Sequence, residues 1–135
     1  MNVSPSRILD GIRILLVEDT PDQQRLLTKQ LSYAGADVTL ECNGSAAVAA
    51  VRRTIRPFDV VVMDLLMPVL DGVSATRELR SLGFTLPVLA VSARTDEPVH
   101  RECLTAGCNA FLVKPIPTSD LVETILSLVS ELSAK

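Results

Sequence analysis

Aromatic residues are nearly missing from this sequence: Phe, Trp and Tyr make up 3% of its 135 residues, and Trp is absent. A core built from it must therefore be aliphatic. There is one histidine, His100, and the three cysteines, Cys42, Cys103 and Cys108, include no C-x-x-C pair. Structural zinc needs clustered Cys and His ligands, and His100 lies near only one cysteine, which argues against a soft-metal site. An odd cysteine count fits a reducing compartment with small buried or half-buried thiols. No apolar run approaches the ~18 residues of a membrane span. No apolar segment follows basic residues at the N-terminus, as a signal peptide requires. The expected place is the cytoplasm, with no membrane contact by this domain. Basic charge is also short: 13 Lys and Arg against 16 Asp and Glu leave a net charge of −3. A nucleic-acid face needs a clustered basic stripe. Arg52, Arg53 and Arg56 form the densest group, and they fit the end of a helix, where they complement its dipole. No nucleic acid is expected as a partner.

Aliphatic residues fill the space left by the aromatics. The hydrophobic share is 47%, enough for a core without staples, and the length suits one domain. Residues 1–11 carry Ser and Pro and read as a linker or vector-derived remnant, with the folded domain over 12–133. Five apolar runs of strand length follow, at 12–17, 36–42, 60–64, 88–91 and 110–113. Most are continuous, as in parallel strands buried on both faces, whereas the second alternates and suits a sheet edge. Helical spacing fills the intervals. One helix starts at Thr20-Pro21 and stops at Gly35, with Leu26, Leu27, Leu31 and Ala34 in register. A second carries Ala46, Ala47, Ala50 and Val51 and closes before Pro57. A third spans about 73–82 before Gly83, and a fourth spans 98–106 before Gly107. The last follows Pro117, with Leu121, Val122, Ile125, Val129 and Leu132 on one face. Five βα units imply right-handed crossovers with helices on both faces of a parallel sheet. The expected fold is α/β, a flavodoxin-like doubly wound (βα)5 with strand order 2-1-3-4-5. Ligands then bind at the carboxyl ends of strands 1 and 3, where the winding reverses.

That edge is where the polar residues fall. Strand 1 runs into Glu18-Asp19, strand 3 ends in Asp64, strand 4 runs into Ser92 and strand 5 into Lys114-Pro115. Three carboxylates in one place repel, and at least one should hold its proton more tightly than usual. A divalent cation relieves that repulsion, and an all-oxygen set suits Mg²⁺. Asp64 is the candidate nucleophile, because aspartate forms acyl phosphates. Lys114 and Ser92 would neutralise and hydrogen-bond the oxygens of a transferred phosphoryl group. Each residue also has a plainer reading. Asp19 could cap the following helix, Asp64 could bind loop amides, Ser92 could be a turn serine and Lys114 a solvated lysine. Their joint placement at one sheet edge favours the site.

The segments RILLVEDTPD, VVVMDLLMPVLDG, VLAVSAR and FLVKPI resemble the receiver domain of two-component response regulators, in the family's order, from about Ile12 to Leu132. The resemblance implies that Asp64 is a phosphoacceptor charged by a phosphohistidine on a histidine kinase or histidine phosphotransfer protein. Glu18 and Asp19 match the acidic pair that places Mg²⁺, with Glu replacing the commoner Asp, and the backbone carbonyl of Leu66 would be a further ligand. Ser92 matches the hydroxyl switch residue, Phe111 the aromatic that turns inward, and Lys114 the family's lysine, often followed by a cis peptide to proline. Phosphorylation would shift the face formed by the fourth helix, fifth strand and fifth helix. Such a domain is not an enzyme in its own right, beyond phosphorylating itself and losing the group slowly. Leu66 and Arg94 depart from the commonest residues and are expected to tune the lifetime of the phosphorylated state. The opening L-D-G-x-R-I-L-L-V-E-D resembles receivers fused behind histidine kinases in hybrid sensors. The expectation is such a domain, or else a free-standing regulator, with no output domain after the fifth helix.

Rival readings meet specific obstacles. A haloacid-dehalogenase-type phosphatase needs a second Asp where Leu66 stands. A flavodoxin or dinucleotide binder needs a Gly- or hydroxyl-rich loop where Glu-Asp-Thr-Pro stands. A phosphohistidine carrier would have to use His100, which falls on a helix and reads as a solvated side chain. A non-phosphorylated pseudo-receiver that only binds proteins stays open as the alternative. The switching face could form a weak homodimer, although no apolar stripe commits it.

Overall fold

The computed structural model describes residues 8–67, 70–93 and 97–133, the side chains of 97 and 131–133 excepted. Ten elements alternate: β1 (Arg13–Val17), α1 (Pro21–Tyr33), β2 (Asp37–Glu41), α2 (Gly44–Arg53), β3 (Val60–Asp64), α3 (Gly72–Ser81), β4 (Val88–Ser92), α4 (Glu97–Ala106), β5 (Ala110–Val113) and α5 (Thr118–Ser133). The strands form one parallel sheet in the order β2-β1-β3-β4-β5. Strand and helix bounds agree with the sequence reading to within one residue in most cases, because Gly35, Gly83 and Gly107 all take positive φ where the helices stop. The alternating second run is indeed an edge strand, while β3 and β4 are buried along their whole length.

Period two in the strands divides the core in two. Leu15, Val17, Val61, Met63, Val88 and Ala90 point to the side covered by α2, α3 and α4. Ile14, Leu16, Val60, Val62, Leu89 and Val91 point to the side covered by α1 and α5. Both layers are aliphatic apart from Phe58 and the half-buried Phe84 and Phe111. Fully burying one such Leu or Ile contributes roughly 1.5–3 kcal/mol, so two continuous layers hold the strand ends in fixed register.

Two findings differ from the sequence reading. Residues 8–11, read above as part of a linker or vector-derived remnant, pack with the folded body: Leu9 is completely buried in the layer with Ile14 and Leu31, and its N–H donates to the Ala34 carbonyl at 2.7 Å. Ser and Pro nearby masked an apolar pair, Ile8-Leu9, whose second member closes the end of the core. Cys42 is exposed, because it follows the edge strand, whereas Cys103 and Cys108 are buried as expected. Leu132 and Arg94 lie outside the described side chains.

Candidate phosphoacceptor and metal site

The carboxyl ends of β1 and β3 bring three acids together. Residues paired across the two strands run from Ile14–Val60 to Val17–Met63, so the next step in each chain places Glu18 beside Asp64. One carboxylate oxygen from each of Glu18, Asp19 and Asp64 lies within 4.8 Å of the others. Glu18 is fully buried and Asp64 nearly so, while Asp19 is half-buried and opens the cluster to solvent. Asp19 does not cap α1: that position is Thr20, with Pro21 beginning the helix.

The chain holds each acid in place. Glu18 Oε2 accepts the Thr20 N–H at 3.2 Å, and its main-chain carbonyl accepts the Gln24 side-chain amide at 2.7 Å. Asp64 Oδ1 accepts the Leu66 N–H at 3.2 Å, so the loop-amide contact and the acidic cluster coexist. Beneath Asp64 the backbone is crowded. A Cβ on Gly72 would stand 2.3 Å from the Asp64 carbonyl oxygen and 2.9 Å from Leu65 Cα, closer than atoms allow. Glycine there lets the first turn of α3 pack directly under the acceptor strand.

Lys114 reaches the cluster from the end of β5. Its Nζ stands 2.5 Å from Glu18 Oε1 and 3.6 Å from Asp64 Oδ1, with the side chain mostly buried. The lysine was expected to serve the acceptor, yet its nearer partner here is Glu18. Its main-chain N–H donates to the Ser92 carbonyl at 2.8 Å, and the Lys114–Pro115 peptide is cis. Ser92 is fully buried at the end of β4, one strand over from Asp64. Phe111 lies half-buried on β5, and the exposed His100 ring packs on it, centroids 4.8 Å apart. That stacking had no sequence signal, since it depends on how α4 lies across β5.

Electrostatics separates the acids. Burial raises the Asp64 carboxyl to about 7, assisted by its hydrogen bond with Glu18 and opposed by the charge of Lys114. Burial also works against ionisation of Glu18, but hydrogen bonds from Lys114 and Asp64 outweigh it and hold that carboxyl below its ordinary range. Without a cation Asp64 is thus the acid that holds its proton more tightly, while Glu18 favours the charge that Lys114 neutralises. Such a set of hard oxygens with surplus negative charge fits a small divalent cation. Among the described residues it is the only group of three or more His, Cys, Asp or Glu side chains that could hold a metal ion.

Residues 14–126 match the family described as the response regulator receiver domain. The chain belongs to this family. The receiver domain is 41% identical to a two-component response regulator of Oryza sativa subsp. japonica over 112 residues, which cover 82% of this chain and 88% of the relative. It is 34% identical to Histidine kinase 1 of Arabidopsis thaliana over 89% of this chain, but spans only 13% of that protein. Its fold superposes with a TM-score of 0.82 on the receiver domain of a sensor histidine kinase from Pseudomonas aeruginosa PAO1, at 37% identity over 89% of this chain and 98% of that one. That structure has a magnesium ion coordinated in the active-site cleft. Receiver domains of this kind are signalling modules of two-component systems and hybrid histidine kinases, with a fold typical of signalling rather than of enzymes. Among the described residues no helix is long and apolar enough to cross a membrane.

Proposed function

We propose that this receiver domain accepts a phosphoryl group on Asp64 from a phosphohistidine of a histidine kinase or histidine phosphotransfer protein. One observation carries the reading: three carboxylates within 4.8 Å of one another, with the Lys114 ammonium 3.6 Å from the Asp64 oxygen. Glu18, Asp19, Asp64 and the main-chain carbonyl of Leu66 would hold Mg²⁺, which would neutralise phosphoryl oxygens when bound. In the transfer the bond from the donor's imidazole nitrogen to phosphorus breaks as the bond from an Asp64 oxygen forms. Asp64 must be ionised to attack, so its proton leaves before the transfer. Lys114, freed from part of its pairing with Glu18, supplies positive charge to one phosphoryl oxygen. Ser92 donates its hydroxyl to another. The space it vacates admits Phe111, and α4, β5 and α5 shift together.

Leu66 stands at the mouth of the site with about half its side chain exposed. We assign it a part in limiting the approach of water, and hence in the slow loss of the phosphoryl group. Incubation with Mg²⁺ and acetyl phosphate, followed by intact mass, tests the main reading. A gain of one phosphoryl group that disappears in Asp64→Asn is expected. No gain would leave a pseudo-receiver that only binds proteins, and a gain that survives in Asp64→Asn would place the phosphoryl group on another residue; either would overturn the reading.

A further inference from the structure

Away from the acidic site, α4 ends in a turn of defined chemistry. The Gly107 N–H donates to the Leu104 carbonyl at 3.1 Å, and the Cys108 N–H donates to the Cys103 carbonyl at 3.0 Å. With Gly107 at φ +112°, these bonds form a Schellman motif. That motif brings the side chain after the glycine against the one in the last helical turn, and the pair is ordinarily apolar. Here both are cysteines. They share one buried cluster, and both are reduced thiols.

Their surroundings are not inert. Cys108 Sγ lies 3.7 Å from the Thr76 hydroxyl. Arg80, reaching across from α3, donates to the Gly107 carbonyl from Nε at 3.2 Å and from Nη2 at 2.8 Å. It also donates to Asn109 Oδ1 at 3.0 Å. The turn is thus clamped from a neighbouring helix with a cation beside the thiols. The hydrogen bond with Cys103 chiefly draws the Cys108 thiol below its ordinary range against burial, and the Arg80 charge adds to it. The same hydrogen bond, together with burial, pushes the Cys103 thiol up. Cys108 keeps 6% of its surface open and Cys103 none. Cys108, the less deeply buried of the two, is the thiol a small oxidant meets first, and Cys103, brought against it by the helix-end turn, is placed to resolve it.

We propose that Cys103 and Cys108 form a dithiol–disulfide site that is oxidised by hydroperoxides and closes a covalent link across the α4–β5 turn. The Cys108 thiolate attacks the peroxide oxygen. The O–O bond breaks, a sulfenic acid forms, and the other oxygen leaves as water or alcohol with the proton from Cys108. The Cys103 sulfur then attacks the Cys108 sulfur. The S–S bond forms as the S–O bond breaks, and the hydroxyl departs as water with the Cys103 proton. Two thiols are oxidised and one peroxide is reduced, with thiol reductants reversing the step. The link joins the last turn of α4, which carries His100 one turn earlier, to the residue leading into β5 and Phe111. The chemistry itself does not depend on phosphoryl transfer at Asp64.

The test uses the full chain carrying Cys42→Ser, which removes the exposed thiol. After treatment with hydrogen peroxide and removal of the excess, the protein is denatured, alkylated with N-ethylmaleimide and weighed. A loss of two hydrogens, no alkylation, and recovery of two alkylation sites after dithiothreitol are expected. Tryptic mapping of the oxidised chain should show Cys103 and Cys108 joined within one molecule. Cys103→Ala should instead yield a sulfenic acid trapped by dimedone at Cys108. Two thiols still open to alkylation, a disulfide only between chains, or oxidation beyond sulfenic acid without a disulfide would each overturn the proposal.

Discussion

Asp64 is uncomfortable in the domain without a cation: a carboxyl raised to about 7 from an ordinary 3.8 must either keep a proton or carry a poorly solvated charge. Because its folded value is raised, the stability it contributes is fully present below about pH 4 and is lost as pH rises through about 7. Glu18 has the opposite sign, its contribution fading only as pH falls through its lowered value, so Asp64 governs the neutral range. Asp64→Asn removes the titration. In EDTA, urea denaturation should show the wild type losing roughly 2 kcal/mol between about pH 5.5 and 8, while Asp64→Asn stays nearly flat. Equal slopes in the two proteins would show that burial of Asp64 does not control stability. The same scale holds the Leu66 prediction: Leu66→Asn should change the rate of phosphate release, timed by intact mass after quenching the donor. An unchanged rate would remove Leu66 from the account.

Elements decide how close these side chains come. The first turn of α3 lies against the end of β3, where only a hydrogen fits at Gly72. Gly72→Ala should push α3 outward, lowering stability by about 1–3 kcal/mol in thermal unfolding and slowing phosphorylation with it. The turn before β1 is equally structural. Leu9 is fully buried with its N–H bound to Ala34, so Leu9→Ala should cost about 2–4 kcal/mol. Urea titration checks that value, and a change below ~0.5 kcal/mol would mean that Leu9 is no part of the core. Sequence patterning found β3 and β5 at their observed limits because both are short apolar runs punctuated by polar residues. It missed Leu9 because an isolated apolar pair, Ile8-Leu9, amid Ser, Pro, Arg and Asp has no periodicity to betray it.

The whole domain stores negative charge at one edge of its sheet. A cation there should relieve the repulsion of three acids, so Mg²⁺ should stabilise the fold by mass action, by about 2.7 kcal/mol at 100-fold excess over its dissociation constant. Thermal unfolding across a Mg²⁺ series should show this rise, and EDTA should reverse it. In Asp19→Ala the rise should shrink sharply, since the most accessible of the three acids is lost. A Tm independent of Mg²⁺ would remove the metal from the reading.

The sequence by itself determined the strand count, the order 2-1-3-4-5, and the gathering of Glu18, Asp19, Asp64, Ser92 and Lys114 at one edge. Apolar runs, helical spacing and right-handed crossovers leave few other arrangements of five βα units. Which groups touch was decided only by the tertiary structure. Lys114 lies nearer Glu18 than Asp64, burial raises the proton affinity of Asp64, and His100 packs on Phe111. Cys103 and Cys108 meet across a helix end that neither residue signals. The physical reason is range: periodicity is written in neighbours along the chain, whereas hydrogen bonds and proton affinities depend on ångström-scale distances set by packing from the whole core.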